Sequence, residues 1–394
     1  MDSEAIVSKV LESNAESLQR LEGVLNKRTA FNSLLPIVKE EEYFLGIAGL
    51  RGIGKTVLLL QLAKECNGVY FSADDRSLRG IDLYDVIKSL ADAGHSKIFI
   101  DEIHSKPEWD EDLKTAYDED LAYIAFTGSS AIELKDLKAD LSRRVVVERL
   151  KPASFREWLE IKKSVRIPLF SLEQLIENKA SITSKYAFAN KFLEEYCKNG
   201  GVLYDAKAFF YKTILSTIET IAVKDFSAIK TVGKDTAENF FKLLQLVASS
   251  KPMELSYSKI GEAIGKDKVW VMRFLSNVEK TETLKRVYPC GQGLQPFRKE
   301  AKYYLPFPYR ASLCEALNKT PDVGSLREEF FVNHVDCCYL KNSPKQTPDF
   351  KVLDKTFEIG GKNKGGRQNP DYIVTDSLDT TKNKIPLFTI GTLY

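Results

Sequence analysis

The sequence predicts an α/β fold: a parallel sheet covered by helices, a mainly helical middle, and a second mixed α/β region. Three observations carry it. Short apolar runs at 43–48, 69–71, 97–100, 122–126 and 145–150 alternate with helix-patterned segments, and strands separated by helices pair in parallel with both faces covered. Residues 160–235 are helix-patterned, with Gly200 and Gly201 as the clearest breaker. The final 85 residues return to strand candidates, at 349–353, 356–359 and 385–390.

Taken in order, residues 1–35 place Ile6, Val10, Leu18, Leu21 and Leu25 at helical spacing. Pro152 and the following Ser154, Phe155, Arg156, Glu157 and Trp158 mark a turn into another helix. From 236 the texture changes. A helix pattern (Phe240, Phe241, Leu244, Val247) precedes a second over 257–265 and a third through Val269, Val271, Phe274, Leu275 and Val278. A strand at 284–288, a Gly/Pro-rich turn at 291–296 and a strand at 302–305 complete the layout of a winged helix.

With 394 residues the chain is longer than the roughly 250–300 at which one core stops growing, so several domains are expected. A net charge of +2 is too small to imply a polyanionic partner by itself. The first residues read as an amphipathic helix without signal-peptide regions, and no apolar run approaches a membrane span. The cysteines at 66, 197, 290, 314, 337 and 338 include no CxxC pair. Neither a zinc nor a disulfide framework is expected, and the setting reads as a reduced cytoplasm. Three histidines (His95, His104, His334) make a histidine metal site an unlikely design.

The chemistry concentrates after the first run. Gly49, Leu50, Arg51, Gly52, Ile53, Gly54, Lys55 and Thr56 satisfy the Walker A pattern G-x-x-x-x-G-K-[ST], between an apolar strand and an apolar helix. Glycines let the backbone wrap phosphates, and N–H groups at the helix start bind the anion. Lys55 would reach the β- and γ-phosphates of ATP, and Thr56 would offer a hydroxyl to Mg²⁺. The run 98–100 ends in Asp101 and Glu102, the Walker B form. Asp101 would hold Mg²⁺ and Glu102 would polarise the attacking water. The next run ends in Thr127, Gly128, Ser129 and Ser130. Ser129 or Thr127 is placed to sense the γ-phosphate; capping the next helix is the other role open to them. Arg143 and Arg144 precede the last run. An arginine there can reach a neighbouring subunit's γ-phosphate, or can form a surface pair with Asp140 and Glu148.

Together with residues 98–104, 126–130 and 150–157, this loop resembles that of prokaryotic AAA-type P-loop ATPases. The resemblance covers nearly the whole chain, most specifically its first 160 residues. It implies an ATPase core, a winged helix and a C-terminal domain similar to restriction nucleases. It also singles out Arg144, eight residues before Pro152, as the arginine finger.

The third helix of the winged region, 266–280, would be its recognition helix, with Lys268, Arg273, Asn277 and Lys280 polar. Lys285, Arg286, Arg298 and Lys299 could add phosphate contacts; protein–protein docking is the other use of such a module. In the last region residues 327–330, Pro348, Asp349 and Phe350, and residues 357–362 follow in an order that resembles the PD-(D/E)xK nuclease arrangement. Asp349 and Glu358 would then hold a second Mg²⁺, with a lysine steadying the attacking hydroxide. The lysine expected two residues after Glu358 is replaced by Gly360, and the nearest is Lys362. Two strand residues move an amine roughly 6–7 Å. Either a bulge at Gly360 and Gly361 restores its reach or the site is dead, and an inherited fold without nuclease activity is the favoured reading.

The expected organisation is an ATPase core at 1–160, a helical lid or linker at 161–235, a winged helix at 236–308 and a nuclease-like α/β domain at 309–394. The expected function is Mg-dependent ATP hydrolysis driving conformational change or assembly in a DNA-associated process, in a homo-oligomer. An ATP-gated, metal-dependent nuclease and a nucleotide-switched protein scaffold are the alternatives.

Overall fold

The computed structural model describes residues 2–394 except 25, 129–140, 142, 205–207, 227–235, 253–254, 292–299, 341–346 and 366–368. Leu25, Ser129, Asp140, Arg298 and Lys299 therefore lie outside the described residues. The chain divides into two compact units, Met1–Lys151 and Pro152–Tyr394.

The first unit opens with helices α1 (Ser3–Leu21) and α2 (Ala30–Glu40). Five strands follow: β1 (Phe44–Ala48), β2 (Val69–Ser72), β3 (Lys97–Asp101), β4 (Tyr123–Thr127) and β5 (Val145–Arg149), with α3 (Lys55–Glu65), α4 (Leu83–Asp92) and α5 (Trp109–Asp118) between them. They match the five apolar runs and form one parallel sheet in the order β2-β3-β4-β1-β5. All five residues of β1 and of β4 are buried, as a central strand covered on both faces requires. The register Ile47↔Thr127 and Ser72↔Asp101 brings the C-terminal strand ends to one edge, where ligands bind in open α/β sheets.

The second unit starts with α6 (Phe155–Lys163), opened by a Ser154/Glu157 capping box. Four helices, α7 (Leu172–Glu177), α8 (Lys179–Tyr186), α9 (Leu193–Asn199) and α10 (Phe210–Thr220), come next. Then come α11 (Thr236–Ser249), α12 (Tyr257–Ile264) and α13 (Lys268–Lys280), and an antiparallel hairpin of β6 (Lys285–Val287) and β7 (Lys302–Tyr304). Last are α14 (Tyr309–Ala316), α15 (Val323–His334), β8 (Cys338–Tyr339), β9 (Phe350–Val352), β10 (Lys355–Gly360), β11 (Tyr372–Thr375), β12 (Lys384–Pro386) and α16 (Leu387–Ile390). The sheet order β12-β11-β10-β9-β8 is mixed: β10-β11-β12 run parallel and β8-β9-β10 antiparallel.

Phe155 and Trp158 of α6 share a buried core with Phe330, Phe331, Phe350 and Phe357, so this helix packs within the second unit. A neutral His334 ties it down. Its Nε2 accepts from the Phe155 N–H at 2.9 Å, leaving Nδ1 to donate to the Phe330 carbonyl at 2.7 Å.

Two expectations fail here. The strand expected over 385–390 ends at Pro386, and Leu387–Ile390 is helical with all four residues buried. A short fully apolar run does not distinguish a buried strand from a buried helix. The Thr389 hydroxyl donates to the Pro386 carbonyl at 2.7 Å, satisfying a backbone group that a sheet would otherwise pair. Second, Cys290 and Cys338 form a disulfide across 48 residues. It joins the segment after β6 to β8, where Cys290 N–H donates to the Tyr339 carbonyl at 2.8 Å. Cys66, Cys197, Cys314 and Cys337 are free thiols.

Candidate nucleotide site

Between β1 and α3 the chain turns through Gly49, Gly52 and Gly54 with φ of 154°, 82° and 96°, values that side chains resist. A Cβ at Gly49 would lie 2.6 Å from the Leu150 carbonyl oxygen and 2.7 Å from Ile53 Cδ1. The loop thus lies flat against the end of β5, and only glycine fits there. Lys55 opens α3, is buried, and donates from Nζ to the carbonyls of Gly49 and Leu50, both at 2.8 Å. The ammonium is held inside the ring of loop residues, where an anion cradled by their N–H groups would meet it.

Asp101 ends β3 and is 3% exposed. Tyr70 of β2 donates its hydroxyl to Oδ2 at 3.1 Å, and Thr127 of β4 donates to Oδ1. Burial raises the carboxyl above its ordinary range, and hydrogen bonds from Thr127, Thr56 and Tyr70 oppose that. Three hydroxyls around one buried carboxylate, with no lysine or arginine bonded to it among the described residues, suit a divalent cation that needs oxygen ligands. Thr56 and Asp101 would hold it.

Glu102 follows in the left-handed region at φ 50°, a conformation that costs a non-glycine residue about 1–3 kcal/mol and collects at functional sites. Its N–H donates to Thr127 Oγ1 at 3.2 Å, and its Oε2 lies 3.5 Å from His104 Nε2. Burial keeps the His104 pKa low, with Glu102 pulling the other way. Thr127, fully buried, therefore braces both acidic residues. The strand register brings Lys55, Thr56, Asp101, Glu102 and Thr127 to one sheet edge.

Arg144 is elsewhere. Its carbonyl accepts from the Phe44 N–H at 2.9 Å, at the start of β1, about 16 Å of strand away from the loop. Its guanidinium grips Asp118 of α5 with Nε–Oδ1 2.7 Å and Nη2–Oδ2 3.0 Å. Within one protomer it does not share the edge that carries Asp101 and Glu102.

In the second unit Asp349 and Glu358 are neighbours across the β9–β10 hairpin. Asp349 Oδ2 accepts from the Ile359 N–H at 2.8 Å, and both Asp349 and burial raise the Glu358 pKa, burial the more. The lysine beside them is Lys364, not Lys362: its Nζ lies 2.6 Å from Glu358 Oε1. Its stem occupies the space above Gly360, where a Cβ would stand 2.5 Å from Lys364 Cγ. Glycine at 360 and lysine at 364 are thus one feature. The other carboxylate oxygen, Glu358 Oε2, is buried with no hydrogen-bond partner. No group of three or more His, Cys, Asp or Glu able to hold a metal occurs among the described residues; Asp349 and Glu358 are a pair.

Of the basic residues expected on the wing, Arg286 is bonded to Glu279, Nε–Oε2 2.7 Å, and Lys285 donates to the Val332 carbonyl. Both are engaged within the unit. Lys268 and Arg273 are exposed on α13 beside Val269 and Met272, 58% and 45% exposed. Tyr70 and Lys364 carry no signal of their own in the sequence, because their partners lie on other elements. A glycine in the expected lysine position with a lysine four residues on was the one available signal.

A family model described as an AAA domain (AAA_14) matches residues 41–159. The uncharacterized protein MJ1637 of Methanocaldococcus jannaschii is 31% identical over 320 residues, 74% of this chain and 67% of that protein. Among solved structures, the Walker-type ATPase PABY2304 of Pyrococcus abyssi is 16% identical over 73% of this chain and 95% of its own, TM-score 0.40. The RuvB Holliday junction branch migration motor of Thermotoga maritima is 13% identical over 75% of this chain and 96% of its own, TM-score 0.31.

Proposed function

We propose that this chain, which belongs to the same family as MJ1637 and carries an AAA-type P-loop ATPase domain, hydrolyses ATP with Mg²⁺ to drive conformational change or assembly in a DNA-associated process. The observation that carries the reading is the shared edge: the loop 49–56 beside Asp101 and Glu102, braced by Thr127. Lys55 and the loop N–H groups bind the phosphates. Thr56 and Asp101 hold Mg²⁺, which when bound neutralises charge on the phosphate oxygens. Glu102 polarises the water that attacks the γ-phosphorus as the bond to ADP breaks. Ser129, which lies outside the described residues, is the γ-phosphate sensor in this reading.

Arg144 can act only on a neighbouring protomer, so its role as a finger requires a homo-oligomer. Mixing Arg144→Ala with Lys55→Ala protein should restore part of the activity, since one subunit keeps the finger and the other the site. The single Arg144→Ala change should cost about 10³–10⁵ in rate. Full activity in that single variant would return Arg144 to a surface ion pair with Asp118.

A DNA contact rests on Lys268 and Arg273 of the exposed α13 face, in a three-helix-and-hairpin module read as a winged helix. The setting proposed is the cytoplasm; no helix among the described residues is long and apolar enough to cross a membrane. The deciding experiment is ATPase activity with and without duplex DNA, with the mass of the particle measured in each nucleotide state. Turnover and mass that ignore DNA at low salt would favour a protein-binding scaffold.

A further inference from the structure

We propose that Arg28 is a positioning residue for the phosphate-binding loop, setting the direction of its Gly54 N–H and holding the loop to the end of β5. The proposal rests on the reading of residues 49–56 as a nucleotide site. Arg28 lies between α1 and α2, far from the loop in sequence, yet is 4% exposed. Its Nη1 donates to the Ile53 carbonyl at 2.6 Å and its Nη2 to the Lys151 carbonyl at 2.9 Å. A buried guanidinium is costly unless its donors are used, and here one arm is placed inside the loop itself.

The geometry has a direct consequence. In a trans peptide the C=O and the following N–H point to opposite sides. Drawing the Ile53 oxygen toward Arg28 turns the Gly54 N–H the other way, away from the guanidinium. Gly54 is the N-cap of α3 at φ 96°, so this N–H is among the donors that a helix start leaves for an anion. Ile53 is fixed from its other end too, because its fully buried side chain lies against Gly49. The segment around Arg28 is docked along the same helix: Gln61 Nε2 donates to the Asn26 carbonyl at 3.1 Å, and Lys27 pairs with Glu65 at 3.0 Å. The second arm extends the hold to Lys151, the last residue of the first unit. Loop, α3 and strand end are thereby one mechanical piece, with Arg28 at its joint.

The test compares wild type with Arg28→Gln and Arg28→Lys, measuring Mg-ATP affinity, competition by inorganic tripolyphosphate, kcat, and thermal stability. A charge-assisted hydrogen bond that orients a phosphate donor should cost about 10–100-fold in affinity when lost. ATP and tripolyphosphate should weaken by the same factor, because the effect is on the phosphates alone. Arg28→Lys keeps the charge but replaces the two-armed guanidinium with a single nitrogen on a shorter reach, and should fall between. If Arg28→Gln fails to fold, the Lys variant decides: wild-type affinity in folded protein would overturn the proposal. A lower melting temperature with unchanged affinities would also overturn it, leaving Arg28 a structural tie. Wild-type protein that binds neither ATP nor tripolyphosphate would overturn the nucleotide reading, and this proposal with it.

Discussion

The two units each place a buried acid on a strand, and they support it differently. In the first, Asp101 is met by the hydroxyls of Tyr70 and Thr127, while Lys55 is held on the carbonyls of Gly49 and Leu50. In the second, Lys364 is bonded straight to Glu358, and Asp349 is spent on a backbone N–H. In the first, hydroxyls brace the acid and backbone carbonyls hold the ammonium. The second pairs one of its two acids directly with its lysine. A site built to take a charged ligand must not satisfy itself first, since the ligand would then have to break an existing pair. A ligand at the second pair would first have to break the contact between Lys364 and Glu358.

The comparison breaks most visibly at Lys55. Lys55→Ala should abolish nucleotide binding, read with a fluorescent ATP analogue; binding that survives would mean the lysine is only a loop tie. Glu102→Gln should keep ATP affinity and lose about 10²–10⁴ in turnover, roughly 3–5 kcal/mol of barrier. Undiminished turnover there removes Glu102 from the chemistry.

The second site offers a sharper test because its closure depends on one residue. Lys364→Ala should lower stability by about 1–3 kcal/mol by stranding a buried carboxylate, measured by urea unfolding. Glu358→Gln in the same background should recover most of that. With supercoiled DNA, Mn²⁺ and ATP, wild-type protein should leave the DNA intact. Nicking that vanishes in Asp349→Ala/Glu358→Ala would reverse the contrast and make Lys364 part of an ATP-coupled nuclease. The smallest effect expected is Thr127→Val, about 1 kcal/mol of stability, with turnover reduced more than ATP affinity. An equal loss in both would mean that Thr127 braces the fold without organising Asp101 and Glu102.

Much of the first unit was legible because its signals are local. Each strand is buried on both faces and so reads as an apolar run, and the glycines of the loop mark positions where φ is positive or a Cβ would collide. Asp101 and Glu102 stood out as acids at the end of such a run. Their supports were less plain: Tyr70 gave no signal, Thr127 read as a sensor or cap, and both meet Asp101 only because β2 and β4 flank β3. The second unit was less legible. Leu387–Ile390 reads as strand or helix with equal ease, and Cys290 gives no sign of its partner at Cys338.

By itself the sequence determined the five-stranded core, the phosphate loop and the acidic strand end, since each depends on neighbours a few residues apart. Only the tertiary structure decided which charges meet. It set Lys364 rather than Lys362 on Glu358, sent Arg144 to Asp118 at the far end of the sheet, and brought Arg28 under Ile53. The physical reason is that strand order and hairpin register choose partners across long stretches of chain, and no periodicity or motif records that choice.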